Sequence, residues 1–453
     1  MTLRRACLLV GVVVAAFACV ALPARATYAE RTTADEPQYL LSALSLWEDG
    51  DLYVDDEIAA ERYRPFHEVA LPRQTEPRED GRELSPHDPL LPAVLAAPMG
   101  LGGWAAAKAV VAGLGGALAA LLCWTAHRRL AVPVRPAAGV ALAFGITPPL
   151  TSYATQVYPE LPAALAVTVA VAALTGSLRR GGLVALVLAV AALPWLGVKY
   201  APVAAVLAAV GFARLLRARR VGSVLALAAA LVGLGVAYLV AHHVVYGGWT
   251  VYAAGDHFTD GELTVVGRDP EHLGRTRRLL GLWLDRDFGL LVWMPGYALA
   301  IPALWALVRR RPAGWLELLL PLGAGWATAT WVALTMHGWW WPGRQVVVVL
   351  PCVVLAVAWW LHAVPLRWPR VALAAATVVG ALNWLWLVTE VHLGHRRLIV
   401  DFMRTTNPLV RLSRSLLPDY RTPSTSTWVL QTAWVAALAA LATLAERRSR
   451  TKA

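Results

Sequence analysis

Of the 453 residues, 58% are hydrophobic and only 15% are charged, against roughly 25% charged in soluble domains. The mean hydropathy of +0.54 excludes a disordered chain and an ordinary water-soluble enzyme, and the apolar residues fall in blocks long enough to cross a bilayer. The formal charge of +12 does not point to nucleic acid, because the basic residues stand in short Arg groups between apolar runs, where the positive-inside rule puts them.

Apolar runs occur at 6–24, 105–126, 136–152, 161–178, 221–245, 288–308, 313–336, 345–363, 371–393 and 428–445. A further stretch, 182–213, would be about 48 Å long as one helix, too long for a hydrocarbon core of about 30 Å. Basic residues flank both its ends, and Pro194-Trp195-Leu196-Gly197-Val198-Lys199-Tyr200 interrupts it. Two short helices meeting at a polar elbow are expected. The fold class is then an all-α polytopic membrane protein of about twelve transmembrane helices, with both termini in the cytoplasm. Twenty of the 41 basic residues sit on that side.

The expected organisation is a first membrane helix over 1–24, an outer loop with short interfacial helices over 25–104, a transmembrane core over 105–393, a second outer loop over 394–427, and a last helix with a basic tail over 428–453. Residues 246–287 form a further outer loop. The first helix also reads as a signal segment, with Arg4-Arg5 before it and Ala24-Arg25-Ala26 as a cleavage-like site; either way the chain emerges outside near residue 27. Segment 25–88 holds sixteen of the 29 acidic residues but only seven basic ones. The Pro-interrupted segment 89–98 is too short to span and is expected at the interface or re-entrant. Cys7, Cys19, Cys123 and Cys352 lie in apolar runs, without the spacing of a disulfide framework or zinc site. Walker, GxGxxG and HExxH motifs are absent from the sequence.

The outer loop opens with Thr33-Ala34-Asp35-Glu36-Pro37-Gln38-Tyr39-Leu40-Leu41, and Leu40, Leu41, Leu44 and Trp47 follow at helical spacing. Asp35 therefore stands at a helix start. It reads either as an N-cap or as a general base whose position capping fixes and whose charge the helix end favours. The loop closes with Ser85-Pro86-His87-Asp88-Pro89, where His87 and Asp88 can face a lipid phosphate or form a solvated turn. Further polar groups gather at the outer helix ends: Tyr158 and Glu160, Lys199 and Tyr200 at the elbow, Arg286 and Asp287 in Asp285-Arg286-Asp287-Phe288-Gly289, and Arg344 after the cluster Trp339-Trp340-Trp341. Charged groups at membrane depth are costly and usually functional. For Lys199 the alternative is snorkelling to the interface, and for the tryptophans it is the aromatic belt.

Over residues 20–365 these pieces, in this order, resemble the GT-C glycosyltransferases, a superfamily that includes the protein O-mannosyltransferases and the aminoarabinose transferase of lipid A. The resemblance implies a GT-C-like bundle and transfer of a hexosyl or pentosyl group from a polyprenyl-phosphate donor to a glycan, lipid or protein of the cell envelope. It makes Asp35 the catalytic carboxylate, with Glu36 orienting the acceptor or the loop. Lys199 and Arg344 would meet the donor phosphate with His87 nearby; Asp88, Tyr158, Glu160, Tyr200, Arg286 and Asp287 complete the expected site. In-line attack would invert the anomeric centre. No cofactor is required, a divalent metal has no support in the sequence, and the expected partners are the lipid-linked sugar, its acceptor and membrane lipids, not nucleic acid. The Arg-, Ala- and Val-rich composition suits a bacterial plasma membrane, with the active site facing outward. The competing reading is a secondary transporter or lipid-linked sugar flippase, since broken helices and an intramembrane Lys also occur there. The sequence lacks a chain of acidic residues through the spans for ion coupling.

Overall fold

The computed structural model describes residues 1–72, 74, 77–78, 80–254 and 269–450. The stretch 255–268 of the expected loop 246–287, and Lys452 of the basic tail, lie outside the described residues. Among the described residues there are helices and turns, and only isolated bridges, Glu30 with His67 and Tyr53 with Leu84, pair extended backbone.

In chain order the helices are α1 (Leu3–Cys19), α2 (Glu36–Glu48), α3 (Asp55–Ala59), α4 (Leu90–Leu130), α5 (Val134–Gly145), α6 (Leu150–Tyr153), α7 (Glu160–Leu174), α8 (Arg180–Leu196), α9 (Ala201–Arg217) and α10 (Val221–Tyr246). They continue as α11 (His272–Thr276), α12 (Arg278–Leu284), α13 (Leu290–Trp293), α14 (Ala300–Arg310), α15 (Trp315–Ala327), α16 (Leu350–Ala363), α17 (Trp368–His392), α18 (Pro408–Leu416) and α19 (Thr425–Arg450). The protein is a multi-pass membrane protein. Every apolar run read from the sequence carries helix, though the run 136–152 breaks between α5 and α6 and the run 288–308 breaks at Met294. Among the described residues, six helical stretches are long and apolar enough to cross a membrane: Leu90–Leu130, Val198–Arg217, Val221–Ala254, Arg344–Ala363, Trp368–His392 and Thr425–Arg448. Val134–Gly145, Glu160–Leu174 and Arg180–Leu196 are shorter apolar helices, so a count of twelve depends on helices below spanning length.

Leu8, Leu9 and Val12 of α1 and Leu225, Val232 and Val244 of α10 are exposed; in a bilayer such side chains face lipid, which is as apolar as they are. Close helix approach instead uses small residues. A Cβ on Gly116 of α4 would overlap the Gly11 carbonyl oxygen of α1, so these two backbones approach this closely because residue 116 is Gly. The interior helix α16 is buried on nearly every side, from Leu350 to Leu361.

Two breaks place the polar groups. The expected elbow is present: α8 ends at Leu196, Gly197 has extended backbone, and a 3-10 turn, Val198–Tyr200, leads into α9. The segment 89–98 lies in a short helical part before Gly103. It begins α4, which breaks at Gly103 (φ 66°, ψ −165°), a conformation open to glycine. The boundary drawn at 104/105 falls beside that break, where the two helical parts of α4 meet. Pro92 sits in its first turn, where a missing N–H costs nothing, and Pro98 lies within the part before the bend.

Candidate active site

Asp35 occupies the N-cap position of α2 but makes no side-chain cap hydrogen bond. The residue before it, Ala34, is left-handed (φ 49°), which costs a non-glycine residue about 1–2 kcal/mol. The backbone kink turns the carboxylate away from the helix end and toward Arg344, whose Nη2 donates to Asp35 Oδ2 at 2.5 Å. His87 Nε2 lies 3.8 Å from the other carboxylate oxygen. The expectation that capping fixes Asp35 is thus corrected: an ion pair between segments 309 residues apart does so.

Arg344 begins the 3-10 stretch Arg344–Val349, just after left-handed Gly343 (φ 84°). Its guanidinium also donates from Nε to Glu160 Oε1 at 2.8 Å, and Lys199 Nζ donates to the same oxygen at 2.7 Å. Lys199 and Arg344 therefore flank one buried carboxylate, on the first turn of α7. The Tyr158 ring packs under the Arg344 guanidinium at 4.3 Å and the Trp340 ring at 4.9 Å, an arrangement that suits a planar cation with few alternative orientations. Asp35, Glu160, Lys199 and Arg344 form a quartet of zero net formal charge.

Burial by itself would raise the Asp35 carboxyl, but the Arg344 charge and the His87 contact outweigh it and hold the group well below the usual carboxylate range. The group is therefore ionised at neutral pH, while its side chain keeps 23% of its exposure. Neighbouring Glu36 is buried and points the other way. It accepts from Val157 N at 2.8 Å and Thr33 N at 3.2 Å, with Lys108 Nζ at 3.7 Å. Its burial pushes its carboxyl up despite these partners. Glu36 ties the start of α2 to the loop before α7 and does not reach the quartet. Tyr158 supports the same joint by donating to Thr33 O at 3.1 Å.

Asp88 is also turned inward. It accepts from Val198 N at 3.1 Å, with the His242 ring at 3.5 Å and the Tyr238 hydroxyl at 3.5 Å. It holds the elbow that carries Lys199. His87 shares a hydrogen bond with Ser85 Oγ at 2.8 Å and packs edge-on against Tyr39.

Two cavities meet at this quartet. One, of 370 Å³, runs from Asp35, Glu160, Lys199, Tyr200 and Arg344 along apolar side chains such as Val203, Val332 and Val348. The other, of 150 Å³, is lined by His87, Asp88, Tyr39 and Pro159 and shares Asp35, Lys199 and Arg344 with the first. The Tyr200 hydroxyl and Glu160 Oε2 are buried without a hydrogen-bond partner. Buried polar groups in that state favour a ligand that supplies the missing bonds.

No family model and no curated protein matches the sequence. Among solved structures, the chain superposes on ArnT from Cupriavidus metallidurans bound to undecaprenyl phosphate with a TM-score of 0.57, at 16% identity, covering 97% of this chain and 77% of that one. Against the same protein in the apo state the TM-score is 0.51, at 16% identity, covering 95% and 75%. The chain has the GT-C fold.

Within that GT-C frame, Asp35, His87, Asp88, Glu160, Lys199, Tyr200 and Arg344 come together around the two cavities, and Tyr158 and Glu36 brace them from behind. Arg286 and Asp287 do not join them. Arg286 pairs with Asp419 at 2.7 Å and Asp287 with Arg414 at 2.7 Å, while Asp285 accepts from the backbone N of Asp287, Phe288 and Tyr420. These acids anchor the 408–420 segment onto the start of α13. Sequence reasoning passed over Lys108, His242, Tyr238 and Tyr252. Lys108 and His242 carried a signal, as polar residues inside apolar runs; Tyr238 and Tyr252 carried none.

Proposed function

We propose that the protein is a membrane glycosyltransferase that moves a sugar from a polyprenyl-phosphate donor to a hydroxyl of a cell-envelope acceptor at the outer face of a bacterial plasma membrane. The observation that carries this reading is the Asp35–Arg344–Glu160–Lys199 quartet, of which Asp35, Lys199 and Arg344 line both cavities and Glu160 the larger. The larger, mostly apolar cavity suits the lipid phosphate and its sugar; the smaller polar one suits the incoming hydroxyl. The undecaprenyl phosphate named in the ArnT structure supports a donor of that class.

In the proposed step the acceptor oxygen attacks the anomeric carbon as its proton passes to Asp35, and the bond from that carbon to the phosphate oxygen breaks. Attack opposite the leaving group inverts the centre. The phosphate gains negative charge as it departs, and Lys199 and Arg344, already held in place by Glu160, stabilise that charge without reorganising. His87 stands close enough to Asp35 to tune the carboxylate or relay its proton. Glu36 serves as a positioning residue, through Val157 and Thr33.

Purified protein in vesicles with radiolabelled polyprenyl-phosphate sugars tests the proposal. Label arriving on a cell-envelope acceptor, with free polyprenyl phosphate released, is the expected result. Movement of the intact donor between leaflets without any transfer would overturn it in favour of a flippase. Comparing envelope glycans between a deletion strain and its parent identifies the acceptor class.

A further inference from the structure

Away from the quartet, the far end of α2 carries a second chemistry-bearing group. Asp49 caps the C-terminus of α2, and Asp56 and Glu57 lie in the first turn of α3. One oxygen from each carboxylate lies within 4.8 Å of the others, and among the described residues this is the one cluster of three or more such ligands. Acidic clusters on a surface are commonly just solvated. Glu57 is different: it is 2% exposed, and neither of its carboxylate oxygens has a hydrogen-bond partner. A buried carboxylate left without donors is unfavourable unless something positive meets it. The nearby cation does not, because Arg62 is held by both oxygens of Glu48 at 2.7 Å each. The other acids of the turn are engaged. Asp51 accepts from Ser45 Oγ and Tyr53 N, and Asp55 accepts from Glu83 N.

We infer that Asp49, Asp56 and Glu57 bind a hard divalent cation of calcium size, which ties the C-terminal end of α2 to α3. Three carboxylates, with no nitrogen or sulfur donor, select a hard oxygen-seeking ion. Ca²⁺ takes oxygens at about 2.3–2.6 Å in flexible geometry and completes its shell with water. Mg²⁺ requires a near-ideal octahedron at about 2.0–2.1 Å, which two exposed side chains and one buried one on a turn do not preorganise. The site lies at the opposite end of α2 from Asp35, so the ion would hold the helix that carries the candidate base without touching the reaction. The inference stands whether or not the proposed transfer does.

The full chain in detergent, stripped with EDTA and followed by thermal unfolding, tests it. Ca²⁺ is expected to raise Tm by several degrees, half-maximally at about 0.1–1 mM, the range of outward-facing sites, with a weaker response to Mg²⁺ at equal concentration. Asp49→Asn and Asp56→Asn, both exposed and tolerant positions, should each raise the half-saturating Ca²⁺ at least tenfold. Glu57→Gln should abolish the response while leaving the EDTA-treated Tm no lower than that of the parent. An unchanged Tm between EDTA and 10 mM Ca²⁺ would overturn the inference and leave Asp56 and Glu57 sharing a proton. Equal Ca²⁺ midpoints in the parent and both Asn variants would overturn it too, by placing the ion elsewhere. A response to Mg²⁺ as strong as to Ca²⁺ would overturn the calcium assignment.

Discussion

Replacing Asp35 by Asn removes one charge and one proton-accepting site with almost no change of shape. The structure makes this a sharper probe than the sequence suggested. Asn caps helices about as well as Asp, but Asp35 does not cap α2, so helix stability is not the quantity being perturbed. What changes is the pair with Arg344 and the approach of His87. The Asn amide oxygen can still accept from Arg344, and Arg344 keeps Glu160. Losing the charge assistance of one hydrogen bond at a partly exposed position corresponds to about 1–2 kcal/mol of stability, small enough for a folded, purifiable protein. The chemical step should suffer far more. Loss of a positioned general base costs roughly 10²–10⁴-fold in turnover. Single-turnover transfer from a labelled polyprenyl-phosphate sugar, with thermal unfolding run in parallel, separates the two effects. A variant with nearly unchanged Tm and at least 10²-fold slower transfer is the expected result. Near-parental transfer by folded Asp35→Asn would refute the base assignment, and the Ala34 kink and the Arg344 pair would then be structural only.

Arg344→Lys keeps the charge but cannot span Asp35 and Glu160 together, so transfer should fall roughly 10–100-fold, whereas a purely electrostatic role for Arg344 would leave it nearly unchanged. Lys199→Gln should mainly weaken donor binding, read as a raised KM for the lipid-linked sugar with a smaller change in kcat; the reverse split would remove Lys199 from the phosphate site. The Asp35 carboxyl lies below its ordinary value of 3.8 in the folded protein, so its contribution to stability is fully present above that pH and is lost only as pH falls through the lower folded value. Between about pH 7 and pH 4 the Tm difference between the parent and Asp35→Asn should therefore stay constant, and a difference that vanishes near pH 6 would show that Asp35 is not held ionised as described. Gly116→Ala would set a methyl into overlap with the Gly11 carbonyl oxygen and should destabilise the protein by about 1–3 kcal/mol, seen as a lower Tm; an unchanged Tm would mean that α1 and α4 can separate freely.

The sequence by itself determined the membrane character, the helical class and the elements at which polar groups enter. Composition and run length decide these, because a bilayer admits apolar helices and little else. The elbow at Gly197–Tyr200 was legible for the same reason: a run too long for the hydrocarbon, with Arg at both ends, has to fold back. So was the presence of Asp35, Lys199 and Arg344 as charges at helix ends. Partner choice was not legible. Asp88 and Glu36 both look like site carboxylates in the sequence; Asp88 lines the smaller cavity while holding the elbow, and Glu36 holds the joint before α7, because each meets a backbone N–H from a segment 110 and 121 residues away, respectively. Arg286 and Asp287 carry the same residue types as the quartet and instead anchor the segment around Arg414 and Asp419. Local sequence fixes where a side chain leaves the backbone. What it finds there depends on which distant helix ends the packing brings alongside, and small-residue contacts such as Gly11 against Gly116 set that packing.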